Sequence, residues 1–209
     1  ATHGFEAIVI TVDLPPAGRR EREMRTHFTL GGDVVVPSIA AAGSREPMTM
    51  FDLPKVFDPT LTWSDIGEVA SWSDLPVLVK GVLHPADAHE AVEHGAAGVV
   101  VSNHGGRNLD SSVPPMNALP RVLEQVGHRM SVMVDGGFNR GGDIAKALAL
   151  GARGVLVGRA PLWGLASDGE AGATLALDIL REELERVMAF TGVPNVSAYN
   201  PQLLHALAD

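Results

Sequence analysis

The chain has 209 residues, 45% of them apolar and 20% charged, so it can bury a core and does not have the composition of a disordered sequence. Its length suits one large domain or two small ones. Lys and Arg number 16 and Asp and Glu 25, and the net charge of −9 removes any general attraction to nucleic acid or an anionic membrane. The absence of cysteine excludes disulfides, a cysteine nucleophile and cysteine-ligated metals.

Five short apolar runs rich in β-branched residues predict strands at 7–12, 77–79, 98–101, 132–134 and 154–157. Each run is nearly continuous rather than alternating, which is typical of parallel strands buried on both faces. Amphipathic patterns predict helices at 85–94, 115–126, 142–150 and 175–190. The alternation of strands and helices indicates an α/β fold with a parallel sheet.

The segment between Asp13 and Leu75 interrupts this alternation, and it is too long for a structureless connection. We expect an insertion there, with a short helix followed by a mobile loop at about 26–60 that covers the active-site end. A small subdomain with a purely structural role is the alternative.

A polar or charged group follows each of the five predicted strands. These groups are Asp13, Lys80, Ser102-Asn103-His104, Asp135 and Gly158-Arg159. The carboxyl ends of parallel strands share one edge of the sheet, and ligands bind at this edge in α/β folds. The sequence therefore predicts one ligand site there.

Two glycine-rich turns belong to this edge. One is Gly136-Gly137, which precedes a helix, and the other is Gly158-Arg159, which follows the last strand and opens another short helix. Backbone N–H groups and a helix N-terminus can hold a phosphate at such turns, with Arg159 and Arg140 adding charge. Glycines that only make tight turns are the alternative.

Three side chains are candidates for chemistry. His104, between a strand end and a Gly-Gly turn, is suited to proton abstraction, and Arg107 could bind a carboxylate through its planar guanidinium. Lys80 ends an apolar strand, where it could form a Schiff base, face an electron-rich cofactor or simply reach solvent. The other seven histidines show no metal-ligand spacing, so we expect no metal site.

With these residues in view, the chain resembles the FMN-dependent 2-hydroxy acid oxidases and dehydrogenases. The similar segments are ITVDLPPAGRREREMR (10–25), LPVLVKGV (75–82), GAAGVVVSNHGGRNLD (95–110), VDGGFNRGGDIAKALALGA (134–152) and VLVGRAPLWGLA (155–166). The resemblance implies a (β/α)8 TIM barrel that forms a single FMN-binding domain. Residues 1–209 would be the C-terminal part of this domain and would supply about strands four to eight of the barrel. It implies oxidation of an (S)-2-hydroxy acid to the 2-oxo acid, with electrons passing to O2 or another acceptor.

The resemblance also implies roles for individual residues. His104 is similar to the catalytic base and Asp13 to the acid that pairs with it. Arg107 and Arg20 resemble the pair that binds the substrate carboxylate. Lys80 resembles the lysine beside N1 and the C2 carbonyl of the flavin. The remaining FMN-binding positions implied are Thr11, Ser102, Asp135, Gly136, Gly137, Asn139, Arg140, Gly158 and Arg159.

Two departures from the family pattern stand out. Asn139 occupies a position where the family usually has Arg, so a phosphate-directed cation is absent, with Arg140 as a substitute. The first three barrel strands and their substrate-facing tyrosines have no counterpart, since the one tyrosine is Tyr199 in the tail. We therefore expect an absent N-terminal barrel segment or a partner chain that supplies these parts.

Two other interpretations stay open: an inactive or regulatory half-barrel, and a different FMN- or phosphate-binding barrel enzyme. The stretches 108–116, 137–138 and 161–164 favour the mandelate-type branch and an aromatic substrate. We expect a cytoplasmic homo-oligomer without nucleic-acid or membrane partners.

Overall fold

The computed structural model describes residues 3–14, 18, 21–28 and 58–205, and all structural statements below concern these residues. The elements in chain order are β1 (Ile8–Thr11), α1 (Glu21–Arg25), α2 (Trp63–Ser71), β2 (Val77–Val82), α3 (Pro85–Glu93), β3 (Gly98–Val101), α4 (Pro115–Val126), β4 (Ser131–Val134), α5 (Gly141–Leu150), β5 (Gly154–Val155) and α6 (Arg159–Thr191). Two short 3-10 helices follow, at Val196–Ala198 and Pro201–Leu203.

The five strands form one parallel sheet in the order β1-β2-β3-β4-β5. An open doubly wound sheet reverses its strand order at a switch point, whereas this order is sequential throughout. From α2 to α6 each helix contacts the next one along the chain, so the helices form a single layer on one face of the sheet. A sequential parallel sheet with one outer helix layer is the arrangement of part of a TIM barrel.

The sequence placed all five strands and the α/β class correctly, with small differences at the strand ends. β2 continues to Val82, beyond the predicted end, and β5 is limited to Gly154–Val155. Within the described ranges, β1 pairs only with β2 and β5 only with β4. The outer edges of these two strands therefore carry backbone groups that no described strand satisfies.

The core lies between the sheet and the helix layer. Val79 and Val99 from the strands and Leu119 and Val122 from α4 are completely buried in one cluster. Burying a side chain of this size stabilises the fold by about 1.5–3 kcal/mol. This cluster fixes the strand ends, and with them the side chains that follow the strands.

The segment between β1 and β2 differs from the prediction of a continuous insertion. Residues 63–71 form α2, and Ile66 on this helix is 1% exposed and belongs to the core cluster. α2 is thus a regular member of the outer layer, and the prediction is wrong for this part. The short helix expected earlier is α1, while most of the expected mobile loop, residues 29–57, lies outside the described residues.

The last helix, α6, combines the short helix predicted to open at Gly158-Arg159 with the helix predicted at 175–190, whose part of α6 begins earlier than predicted. Asp168 and Gly169 have non-helical backbone angles and divide it into two helical parts. Gly164 and Gly172 approach so closely across this break that a Cβ on either would overlap the other's backbone. The break therefore depends on residues that have no side chain, which a hydrophobic pattern does not reveal.

Candidate active site

A cavity of about 690 Å³ opens at the carboxyl edge of the sheet. Its walls come from the ends of β2, β3, β4 and β5 and from the first turns of α6. The lining residues are Lys80, His104, Gly105, Arg107, Asp135, Gly136, Gly137, Phe138, Asn139, Leu156, Val157, Gly158, Arg159, Leu162 and Trp163. Nine of the residues predicted from sequence are in this set, since four successive strands end beside one another.

Lys80 is held at the floor of this cavity by two polar neighbours. Its Nζ lies 3.1 Å from Oδ2 of Asp135 and donates to Oγ of Ser102 at 2.9 Å. The side chains of Lys80 and Asp135 are only 17% and 15% exposed, so the pair is largely shielded from water. An ammonium group has three N–H donors, and these contacts leave one for a ligand.

His104 and Asp13 form a second pair, with 3.0 Å between Nδ1 of His104 and Oδ1 of Asp13. Asp13 follows β1 and His104 follows β3, so the sheet brings together residues 91 positions apart. Because the carboxylate takes Nδ1, Nε2 is the ring nitrogen left to exchange a proton with a ligand. An aspartate in this position also stabilises the imidazolium form.

A glycine fixes the position of Asp13. The pairing register of β2 with β3 shifts between Lys80 and Val82, so Gly81 is an extra residue in the strand and has a φ of 109°. A Cβ at Gly81 would lie 2.7 Å from Cβ and Cγ of Asp13. The side chain of Asn108 also donates to the backbone carbonyl of Asp13. Neither contact was predicted from sequence.

The loop after β3 has an unusual backbone. His104, Gly105 and Gly106 all have positive φ, at 56°, 67° and 70°. This conformation costs a non-glycine residue such as His104 about 1–3 kcal/mol. Asn103 stabilises the loop through two hydrogen bonds from the backbone N–H of Gly106. Its backbone carbonyl accepts one at 2.9 Å and its side-chain Oδ1 accepts the other at 3.1 Å.

Arg107 follows in the same loop and lines the cavity. Its side chain is exposed, and no ion pair joins it to another residue within the described ranges. Its guanidinium is therefore available to a carboxylate ligand.

Another part of the cavity lining is suited to an anion. Gly136 and Gly137 have φ values of 99° and 84°, and a Cβ on Gly137 or Gly158 would meet nothing within 4 Å. Arg159 begins α6 beside them, and its Nη2 donates to the carbonyl of Gly105 at 3.2 Å. Exposed backbone, a helix N-terminus and an arginine together favour a phosphate group here.

Besides Asp13, three predicted residues do not line the cavity, and one is outside the described residues. Arg140 precedes α5, is absent from the cavity lining and pairs with Glu183 of α6 at 2.8 Å, so the structure does not support it as a phosphate ligand. Ser102 is fully buried behind Lys80 rather than on the cavity surface. Thr11 pairs in register with Lys80 but does not line the cavity, and Arg20 lies outside the described residues.

The stretches 137–138 and 161–164 were singled out from sequence as hints of substrate type, but the apolar wall that they help to form was not predicted. Phe138, Leu156, Val157, Leu162 and Trp163 form it, with Trp163 71% exposed. The sequence PLWG was visible as a hint of substrate type, but the pattern alone does not show that the start of α6 faces the cavity. A cavity that combines an apolar wall with charged groups is suited to a ligand with a flat ring and a charged tail.

The donor set can be tested against FMN. Oδ1 of Asp135 is buried and has no hydrogen-bond partner in the described part of the chain, so it needs a donor such as a ribityl hydroxyl. Lys80 supplies a cation, and Gly137, Gly158 and Arg159 in the same lining offer backbone and charge for an anion. The residues present therefore fit a molecule with a polarisable ring, a hydroxylated chain and a terminal phosphate.

The described ranges contain neither a metal-binding cluster nor a membrane-spanning helix. No group of three or more His, Asp or Glu side chains there could hold a metal ion. None of the described helices has the length and apolar character needed to cross a membrane.

Known proteins match this chain along nearly its whole length. The family model described as FMN-dependent dehydrogenase matches residues 1–206. An L-lactate oxidase from Nostoc sp. is 40% identical in a match that covers 97% of this chain and 57% of the oxidase. Glycolate oxidase 2 from Oryza sativa is 42% identical in a match that covers 92% of this chain and 54% of that oxidase. The chain thus spans somewhat more than half the length of the curated relatives it matches.

Solved structures agree with these matches. A mandelate oxidase determined with (S)-2-phenylpropionate has 43% identity and a TM-score of 0.82, over 95% of this chain and 54% of its own. A soluble mutant of the membrane-associated (S)-mandelate dehydrogenase from Pseudomonas putida has 34% identity and a TM-score of 0.85, over 97% and 58%. Together with the site geometry, these matches show that the chain belongs to the FMN-dependent dehydrogenase family, whose members include flavin-dependent 2-hydroxy acid oxidases.

Proposed function

We propose that this chain forms the C-terminal part of an FMN-dependent enzyme that oxidises an (S)-2-hydroxy acid to the 2-oxo acid. The observation that carries the proposal is the convergence of the His104–Asp13 pair, the Lys80–Asp135 pair and Arg107 around one cavity. In the reaction the substrate loses two electrons and two protons, and bound FMN supplies the electron acceptor. The electrons then pass to O2 or another acceptor.

Each residue of the cavity has a task in this proposal. Arg107, with Arg20, binds the substrate carboxylate and so orients the carbon that is oxidised. Nε2 of His104 takes a proton from the substrate, and Asp13 stabilises the resulting imidazolium. Lys80 places a positive charge where electron density accumulates on the acceptor.

A second group of residues binds the cofactor. Asp135 accepts hydrogen bonds from hydroxyl groups, and the backbone of Gly136, Gly137 and Gly158 with Arg159 holds the phosphate. Asn139 lies at the cavity wall but lacks the charge of arginine. Thr11 is the remaining predicted flavin contact, and it neighbours Lys80 on the sheet.

The substrate that we favour is an aromatic, mandelate-like 2-hydroxy acid. Support comes from the apolar wall with Phe138, Leu162 and Trp163, and from mandelate oxidase and dehydrogenase among similar structures. We further propose that a barrel segment or partner chain pairs with the open edges of β1 and β5, and that the assembly is a cytoplasmic homo-oligomer.

The test is the visible absorbance of the purified chain with FMN, before and after anaerobic addition of (S)-mandelate, (S)-lactate or glycolate. It is run on this chain and on a hybrid in which the N-terminal part of the 43%-identical mandelate oxidase precedes it. We expect FMN to bind and mandelate to bleach the flavin band fastest. The open sheet edges of this chain favour a second candidate function, a half-barrel that binds phosphate without turnover. That candidate predicts that FMN binds but that no substrate bleaches the flavin band in either protein.

A further inference from the structure

Ser102 differs from its neighbours in the site. Among the residues that the structure describes, it is the one polar residue whose side chain is fully buried, at 0% exposure. Its backbone N–H donates to the carbonyl of Val82, which continues the sheet pairing of β3 with β2 to the edge of the cavity. The hydroxyl is therefore fixed in the floor of the site and is not itself a wall of the cavity.

The hydroxyl oxygen of Ser102 accepts two hydrogen bonds. One comes from Nζ of Lys80 at 2.9 Å and the other from the backbone N–H of His104 at 3.0 Å. A serine oxygen has two acceptor lone pairs, so these two donors use its full acceptor capacity. The oxygen has none left for a donor on a bound molecule.

Both donors need this support. His104 is a non-glycine residue with a φ of 56°, a conformation that persists only where the surroundings enforce it. Lys80 is a long, flexible side chain that Asp135 contacts from the β4 side, and Ser102 contacts it from the β3 side. One buried oxygen thus restricts both the cation and the backbone that carries the base.

We propose that Ser102 is a positioning residue that aligns Lys80 with His104, and that it does not contact the cofactor or substrate. This inference rests on the proposed function for the roles of Lys80 and His104. It differs from the flavin contact expected from sequence, because Ser102 is buried, does not line the cavity and has both acceptor sites of its oxygen filled by Lys80 and His104.

The first test is amide hydrogen exchange in the 15N-labelled chain, comparing the parent with Ser102→Ala. Loss of the acceptor should speed exchange of the His104 amide by about tenfold. Exchange at Val99 and Val100 in β3 should stay unchanged, which shows that the strand still folds. Ser131→Ala, at the exposed start of β4, is the matched control and should leave the His104 amide unaffected. Exchange at His104 within twofold of the parent would overturn the proposal.

The second test is a double-mutant cycle on the dissociation constant of FMN, with Lys80→Met, Ser102→Ala and the double variant. If Ser102 acts through Lys80, the alanine substitution should weaken binding by about threefold or less when Lys80 is present and have no effect in the methionine background. Equal weakening in both backgrounds would show a direct flavin contact and overturn the proposal.

The two tests separate this proposal from the proposed function. A parent chain that fails to bind FMN contradicts the function, while the exchange experiment still decides the role of Ser102. Ser102→Cys keeps a side chain of similar volume with a weak acceptor, and should speed His104 exchange in the same direction. The cysteine variant replaces the alanine variant if the alanine protein does not fold. An unchanged exchange rate of the His104 amide in the cysteine variant would also refute the proposal.

Discussion

Replacing Gly81 by alanine should damage both the fold and the candidate active site. The added Cβ would lie 2.7 Å from Cβ and Cγ of Asp13, whereas ordinary contacts begin at 3.4 Å, so the groups must separate by about 0.7 Å. The φ of 109° adds conformational strain for any residue with a Cβ. Strain and overpacking each cost about 1–3 kcal/mol, so we expect the free energy of unfolding to fall by about 3 kcal/mol.

The same displacement should break the contact between Asp13 and His104. Their atoms are 3.0 Å apart, and a further 0.7 Å exceeds hydrogen-bonding distance. Urea unfolding measures the stability, and the imidazole 15N shifts of His104 report its hydrogen bond. Gly142→Ala is the control, since its Cβ meets nothing within 4 Å and α5 favours alanine. An unchanged urea midpoint together with unchanged His104 shifts would refute the reasoning.

Three further predictions concern the cofactor cradle, a helix start and the core. Asn139→Arg should tighten FMN binding by up to about fivefold because it adds an exposed cation beside the phosphate position, and equal dissociation constants in a fluorescence titration would contradict this. The pKa of Asp65 lies below its usual value of 3.8 because the Thr62 hydroxyl and then the Thr62 backbone N–H donate to it. Its ionised form therefore stabilises the fold above pH 3.8, and this contribution disappears as the pH falls through the lowered pKa. Asp65→Asn should accordingly lower the thermal midpoint at pH 7, and the midpoints of parent and variant should converge in acid. A difference between the two midpoints that does not change with pH would contradict this prediction. Leu119→Ala should lower the free energy of unfolding by about 2–5 kcal/mol, because Leu119 is completely buried, and a loss below 1 kcal/mol in urea unfolding would show that the core had closed around the gap.

Local patterns in the sequence predicted most of the fold. Continuous apolar runs identified the strands because a parallel strand is buried on both faces, and the helix at Pro115–Val126 was predicted with its observed bounds. α2 was missed because the long charged and glycine-rich stretch before it obscured a single regular helix. The two helical parts of α6 were predicted as separate helices, but the position of the break at Asp168–Gly169 was not, because two glycines in backbone contact leave no periodic signal.

The sequence also placed most of the candidate site, because successive parallel strands end at one edge and their next residues must be neighbours. It could not predict where long side chains point. Arg140 was expected at the phosphate, and it turns instead to Glu183, which lies 43 positions later in the chain. Ser102 was expected on the cofactor, and it lies beneath Lys80.

The sequence by itself determined the family, the parallel α/β class and the residue types of the chemistry, since each of these depends on composition, periodicity and short motifs. The tertiary structure alone decided the pairing of Asp13 with His104, the clamping of Lys80 between Ser102 and Asp135, and the steric role of Gly81. These contacts join residues on different strands. Their distances depend on the strand register and on a single extra residue in β2. Neither the register nor the extra residue can be predicted from the local sequence.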